Sequence, residues 1–205
     1  MKKILFIAFT LSCISYLFAQ QNEVKIEKKY GTENKDIQDI LRFEGIEIID
    51  LKYTGEYLKG KNYTIIVKEF LNGSLAQSDT IIKSQDNNFI KAISDSTFKF
   101  KYLVKTKLNN TIKMSFKFDG FSITKNYPIR KSKDAYALHD LLENNKSISI
   151  SSSDSTNILG YFLPYNDEKI GMKMYCQVSG SEHSPEEWGK VFSIPNYFLV
   201  SIIFD

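Results

Sequence analysis

The chain has 205 residues, of which 42% are hydrophobic, and it carries 27 basic against 24 acidic side chains. A chain of this length is large enough to bury a real core, as one domain or as two small ones. Of its two cysteines, Cys13 and Cys176, only the second lies beyond the leader described next, so an internal disulfide in the mature protein is excluded.

The first 19 residues have the layout of a secretory signal peptide. Lys2 and Lys3 precede a mostly apolar run that ends at Phe18, and polar sequence begins at Gln20. This pattern predicts cleavage after Ala19 and an exported protein of the periplasm, the cell surface or the extracellular space. A retained anchor and lipid attachment at Cys13 are the alternatives, but the apolar run is short for a span. Residues 20–40 are polar and predict a tether or a loosely attached first turn.

Strand signals dominate residues 41–130. Residues 46–53, 63–71 and 74–82 are rich in β-branched and aromatic side chains, as are 98–108, 111–118 and 121–127. Asn72-Gly73 and Asp119-Gly120 each separate two such runs, and both dipeptides tolerate the positive φ of a two-residue hairpin turn. The sequence therefore predicts a six-strand antiparallel, sandwich-like part over 41–130.

The segment FKFKYLVKTKLNN, residues 98–110, alternates apolar side chains with lysines. The apolar side chains of this strand and the next, 111–118, share one face only if the loop around Asn109-Asn110 has an odd number of residues. We expect Leu108 to lie opposite Ile112 and Lys107 opposite Lys113. A directly opposed lysine pair of this kind is unfavourable unless it is solvated or bridged by an anion.

Residues 131–205 predict a smaller α+β part, which shares one core with 41–130 or forms its own. Ala135, Leu138, Leu141 and Leu142 have helical spacing, so a helix is expected over 134–144 after an N-cap at Ser132. Residues 158–163 and 172–178 predict strands, and residues 184–188 predict a short helix. Residues 197–204 are almost wholly apolar, which predicts a central strand buried on both faces. The predicted fold class is mainly β, α+β overall.

Sequence support for catalysis is thin. His139 and His183 occur in no ligand-spaced motif, so no metal site is predicted, and no glycine-rich loop indicates a phosphate-binding cofactor. No catalytic residue and no cofactor are therefore assigned. The alternative of a secreted hydrolase with a site between the two parts would use Cys176, His183 or the carboxylates near Trp188.

The most distinctive surface feature is basic. Residues 98–133 contain ten basic side chains and one acidic one. The candidate contact surface, which we call the lysine face, consists of Lys99, Lys101, Lys105, Lys107, Lys113 and Lys117. It fits an anionic glycan, a lipid headgroup or an acidic protein, although a simply solvated sheet face has the same pattern. Nucleic acid is disfavoured because the aromatic side chains point away from the lysines.

The alternation over 98–127 is also typical of a small outer-membrane barrel, which stands as a third hypothesis, although few other segments alternate as cleanly. Three short motifs resemble the acceptor of a bacterial O-glycosylation system, and they give Thr80, Ser96 and Ser155 as possible modification sites. After signal cleavage, membrane spanning is disfavoured.

The ending SPEEWGKVFSIPNYFLVSIIF, residues 184–204, resembles short secreted bacterial proteins of a domain-of-unknown-function family. This resemblance implies no activity and assigns no catalytic residue. The sequence as a whole favours an exported, non-catalytic binding or assembly module.

Overall fold

A computed structural model describes residues 23–86, 89–142, 147–149, 154–167, 171–175, 178 and 180–205, with only the backbone of 147–149. The predicted signal peptide, Cys13 and Cys176 lie outside the described residues.

The described residues form thirteen strands and two α-helices. The strands are β1 (Glu23–Tyr30), β2 (Glu47–Thr54), β3 (Tyr63–Leu71), β4 (Ser74–Lys83), β5 (Thr97–Lys107), β6 (Thr111–Phe118), β7 (Phe121–Pro128), β8 (Ala137–Asp140), β9 (Ser147–Ser149), β10 (Thr156–Phe162), β11 (Tyr165–Asp167), β12 (Met172–Met174) and β13 (Asn196–Phe204). The helices are α1 (Lys35–Phe43) and α2 (Trp188–Val191), and 3₁₀ turns occupy Glu56–Leu58, Ser84–Asp86 and Pro185–Glu187.

Two antiparallel sheets form a sandwich, which confirms the mainly β, sandwich-like fold class. Sheet A has the order β7-β6-β5-β2-β1-β9, and sheet B has the order β4-β3-β13-β10-β8; β11 and β12 form a separate ribbon. Sheet B joins β3 and β4 from residues 41–130 to three strands from residues 131–205. The two stretches of sequence therefore contribute to one cluster of buried side chains.

The core forms where the apolar faces of the two sheets meet. Phe98, on sheet A, contacts Phe204, on sheet B, with ring centroids 5.6 Å apart, and Tyr127 contacts Phe198 at the same distance. As predicted, β13 is central and is buried on both faces. Its second face is covered by the segment around Trp188, whose side chain is 1% exposed and packs edge-on against Phe162.

Both predicted two-residue hairpins are confirmed. Asn72 and Gly73 have φ values of 50° and 76°, and the turn closes with Leu71 opposite Ser74. The second hairpin closes with Phe118 opposite Phe121, whose rings stack 4.7 Å apart.

The β5–β6 loop is odd-numbered, as predicted, but the expected register is wrong by two residues. Lys107 lies opposite Thr111, so the loop is 108–110 and Leu108 is fully exposed. Asn110 takes the positive φ of 53° that ends a three-residue loop. The predicted register would have placed the β-branched Thr111 in that left-handed conformation, which Asn adopts more readily.

The helix predicted over 134–144 is wrong in the described residues. Strand β8 runs through the middle of this range and pairs with β10 at the edge of sheet B. Tyr136 and Leu138 are both buried, so buried side chains recur at every second residue, as in a strand, and not at every third or fourth, as in a helix. A short apolar run is compatible with the periodicity of a helix or of a strand. Here the strand forms because its backbone satisfies the hydrogen-bonding groups at the edge of β10. Ser132 accepts a hydrogen bond from the Asp134 N–H in a turn and caps no helix.

Residues 23–30 form neither the tether nor the loosely attached first turn that the sequence predicts, but a strand of sheet A. Strand β1 pairs with β2 along six residues and with β9 on its other side. Alternate side chains of β1 point inward, and of these Val24 and Ile26 are buried. Two apolar residues among six polar ones are too few to predict a strand from the sequence. Helix α1 follows, with Asn34 as its N-cap, since the Asn34 side chain accepts from the Ile37 N–H.

Candidate functional site

The structure places the lysine face on the outer side of sheet A. Phe98, Phe100 and Tyr102 of β5 are buried between the sheets, so the alternate side chains of the strand point outward. The six lysines divide into two groups. Lys99, Lys101 and Lys117 line a shared groove, whereas Lys105, Lys107 and Lys113 lie nearer the 108–110 loop.

This groove, here called the lysine groove, has a volume of about 520 Å³. Six lysines from four neighbouring strands line it: Lys28 and Lys29 of β1, Lys52 of β2, Lys99 and Lys101 of β5, and Lys117 of β6. Three carboxylates, Glu27, Asp50 and Asp119, are also present. The groove therefore has an excess of positive charge, with both signs available along its length.

Carboxylates neutralise half of the lysine face. Lys99 pairs with Asp119 at 3.0 Å, Lys101 with Asp50 at 3.4 Å, and Lys105 with Glu44 at 3.1 Å. Lys107, Lys113 and Lys117 form no ion pair with a described residue. Exposed pairs of this kind contribute about 0–1 kcal/mol each, so an incoming polyanion can displace them at little cost.

Opposed lysines do occur on this face, at positions different from the expected Lys107–Lys113 pair. In the observed register Lys105 lies opposite Lys113 and Lys101 opposite Lys117. Lys52 also lies opposite Lys99, across β2 and β5. Like charges directly across a sheet repel each other. Lys52 and Lys99 each already have a carboxylate partner, Glu27 and Asp119. Lys113 and Lys117 form no ion pair with a described residue, so a bound anion would relieve repulsion in their two pairs.

A second site, the tyrosine cleft, opens at the end of the sandwich beside α1. It has a volume of about 540 Å³. Strands β1, β2, β5 and β10 contribute Tyr30, Glu47, Thr106 and Tyr161, and the segment before β8 contributes Tyr136. Leu41, Ile46 and Ile129 supply apolar walls.

Glu47 is the only carboxylate of the cleft that lacks a cation among the described residues. Position 47 follows the parity of the buried Ile49 and Leu51 along β2, which directs its side chain inward. One carboxylate oxygen accepts the Leu138 N–H at 3.0 Å. Burial raises the pKa of Glu47, and the Leu138 hydrogen bond only partly opposes that rise.

The other charged side chains of the cleft have partners or lie at its rim. Asp134 accepts from Lys173 at 2.6 and 2.7 Å. Arg42 is 74% exposed and lies 3.9 Å from Asp39. The inner part of the cleft therefore has one formal charge, that of Glu47.

Two tyrosines of the cleft are held in fixed positions. The rings of Tyr136 and Tyr161 stack 5.3 Å apart, and the Tyr161 hydroxyl lies 3.2 Å from the Thr106 hydroxyl. Tyr136 donates to Asn196, which in turn donates to Glu69 at 2.9 Å. Burial raises the pKa of Tyr161 to about 12, so its phenol is neutral at physiological pH.

The two histidines and the carboxylates near Trp188 do not converge in the described part of the chain, and Cys176, the other residue considered for hydrolysis, lies outside it. His139 lies on β8 and packs 4.9 Å from the Phe162 ring, and burial lowers its pKa. His183 is exposed beside Phe192 and forms no hydrogen bond with a described carboxylate. Glu186 accepts from Asn157 and Ser184, and Trp188 is buried. Within the described residues, no group of three His, Cys, Asp or Glu is arranged to hold a metal ion.

The possible O-glycosylation positions differ in exposure. Thr80 and Ser155 are exposed, whereas Ser96 is half-buried and its carbonyl accepts the Gly55 N–H at 2.9 Å. The exposure of Thr80 and Ser155 makes these two the more accessible to modification, and the intact mass of the protein purified from its native source would test all three.

The tyrosine cleft was missed because its residues are far apart in sequence and only the fold brings them together. One sequence signal was available. Glu47 occupies an inward position of a strand whose next inward residues, Ile49 and Leu51, are apolar. A carboxylate at such a position indicates either an internal partner or a ligand.

Searches with protein-family models and against curated proteins gave no match to this chain. Within the described residues, no helix is long and apolar enough to cross a membrane.

Proposed function

We propose that this protein is an exported, non-catalytic binding module that holds an acidic polysaccharide on the lysine face. The observation that carries the proposal is the lysine groove, in which four adjacent strands contribute six lysines to one concavity. Export is inferred from the sequence of residues 1–19.

The shape of the charge distribution favours a polymer. Opposed lysine pairs recur along β5, at Lys99, Lys101 and Lys105, so positive charge extends over most of the strand. A chain with regularly spaced anionic groups can contact several of these pairs at once, and each contact is individually weak.

Aromatic geometry favours a glycan over a nucleic acid. Phe98, Phe100 and Tyr102 are buried between the sheets, and Phe118, at the edge of the lysine groove, is half-buried against Phe121. The groove therefore offers no row of exposed rings on which successive bases could stack beside the lysines. Charge therefore supplies most of the attraction, and binding should weaken as ionic strength rises.

Heparin binding to the secreted protein, measured by isothermal titration calorimetry, tests this proposal. Lys101→Gln/Lys117→Gln should bind about fivefold more weakly than wild type, since each lost contact contributes about 0.5 kcal/mol. The affinity of the wild type should also fall as sodium chloride rises, because salt screens exposed charges.

A matched control changes two lysines of the sheet B side. Lys83 is paired with Asp86 at 3.2 Å and has the same side-chain exposure as Lys101, 43%. Lys190, like Lys117, is exposed and forms no ion pair with a described residue. Lys83→Gln/Lys190→Gln should therefore retain wild-type affinity. Equal losses in the two double variants, or salt-independent binding, would refute the proposal.

A further inference from the structure

We propose that the tyrosine cleft is a second binding site, separate from the lysine groove, and that it takes a small ligand with an ammonium group on an apolar body. The proposal stands on an unpaired inward carboxylate, the aromatic rings beside it and the apolar walls around them. It does not depend on the polysaccharide proposal.

The carboxylate of Glu47 is the main observation. It projects into the sandwich from β2 and receives one hydrogen bond, from the Leu138 N–H. No lysine, arginine or histidine among the described residues forms an ion pair with it. A half-buried carboxylate without a counter-charge is costly to keep ionised, and a bound cation removes that cost.

The surroundings of Glu47 suit a cation better than an anion. Tyr136 and Tyr161 line the same cleft and are buried against each other, whereas Tyr30, which also lines it, is 50% exposed and offers the most accessible ring. The faces of tyrosine rings attract ammonium groups, and this attraction strengthens where water is excluded. An anionic ligand would instead meet the charge of Glu47 in the inner part of the cleft.

The size and walls of the cleft limit the rest of the ligand. A volume of about 540 Å³ falls within the range of small-molecule sites, about 300–1,000 Å³. Leu41, Ile46 and Ile129 form an apolar wall, so an aromatic or aliphatic body would be buried beside the charged group. Arg42 lies at the exposed rim, where it leaves the inner part of the cleft open to the ammonium group.

Three probes with the same benzene ring distinguish the contribution of charge to binding from that of apolar burial. They are benzylammonium, the neutral benzyl alcohol and the anionic benzoate, each titrated into the secreted protein at pH 7 and followed by NMR chemical-shift changes. We expect benzylammonium to bind about tenfold more tightly than benzyl alcohol, the ratio produced by one charge-assisted hydrogen bond. Benzoate should bind more weakly than either.

Two variants test whether Glu47 causes the preference for benzylammonium. Glu47→Gln should bind benzylammonium and benzyl alcohol equally, because it keeps the acceptor for Leu138 and removes the charge. Glu44→Gln, at an exposed glutamate that pairs with Lys105, should behave like wild type. Equal binding of the two ligands by wild type, no benzylammonium binding at millimolar concentration, or an unchanged preference in Glu47→Gln would overturn the proposal. Circular dichroism of each variant verifies its fold.

Discussion

Asn196→Asp should make the stability of this protein strongly dependent on pH. Asn196 is 4% exposed at the start of β13, and it donates to Glu69 at 2.9 Å and to the Phe70 carbonyl at 3.0 Å. Tyr136 donates to its side-chain oxygen. The substitution removes both amide donations and sets a second carboxylate against Glu69, whose pKa burial already raises.

The size of the effect follows from the proton that the pair must hold. Two carboxylates in hydrogen-bond contact cannot both stay ionised at low cost, so the folded variant should retain one proton. Retaining it at pH 7, from an ordinary pKa near 4.5, costs about 1.36 × 2.5, or about 3.4 kcal/mol. The lost amide donations add about 1–3 kcal/mol at any pH.

The sign follows from proton linkage. Above about pH 5 the unfolded variant has released the proton that the folded variant keeps, so stability should fall by about 1.4 kcal/mol per pH unit. The deficit relative to wild type should be about 4–6 kcal/mol at pH 7 and about 1–3 kcal/mol near pH 4.5.

Urea unfolding followed by tryptophan fluorescence measures this effect, since the single tryptophan, Trp188, is buried. Asn126→Asp is the control, because Asn126 is exposed and lies opposite Lys113, where a carboxylate is acceptable. A destabilisation of Asn196→Asp that stays constant between pH 4.5 and pH 7 would refute the inferred contact between the two carboxylates.

Two further predictions concern stability. Gly189→Ala should destabilise the fold by about 1–3 kcal/mol, because its Cβ would lie 2.5 Å from the Gly73 backbone. Gly180→Ala is the control and should be neutral, since a Cβ there would meet open space. Equal urea midpoints for the two variants would contradict the close packing of Gly189 against Gly73. Glu47→Gln should be at least as stable as wild type at pH 7. Because burial raises the pKa of Glu47, wild type should lose stability relative to this variant as pH rises above about 4.5. A Glu47→Gln protein that is less stable than wild type above about pH 4.5 would show that a partner compensates the charge of Glu47 in the folded protein.

Local chemistry made much of the fold predictable. Asn72-Gly73 and Asp119-Gly120 specify two-residue turns through their backbone preferences alone, and both hairpins formed where expected. The apolar run of β13 indicated a central strand for an equally direct reason, since only a strand covered on both faces has so few polar side chains.

Errors occurred where distant partners decide the structure. The run from Ala135 to Leu142 fits helical spacing, yet its middle part, β8, pairs with the edge of β10 as a strand. Strand β1 has only Val24 and Ile26 as an apolar signal, and it is stable because β2 and β9 flank it. In both cases, hydrogen bonding to the backbone of a neighbouring strand outweighs the secondary structure that the local sequence prefers.

The same distinction applies to the two candidate sites. The lysine face was predictable because alternation along β5 and β6 places its members on one surface. Its groove was not, since Lys29 and Lys52 join it through strand order. The tyrosine cleft combines residues from Tyr30 to Tyr161, and only sandwich assembly brings them together.

A lysine-reactivity footprint tests the central claim most directly. The purified protein is briefly acetylated with and without saturating heparin, and modification of each lysine is quantified by mass spectrometry. We predict that heparin protects Lys99, Lys101 and Lys117 several-fold while Lys83 and Lys190 react as before. Uniform protection of all lysines, or unchanged reactivity in the lysine groove, would contradict the proposal that this face binds acidic polysaccharide.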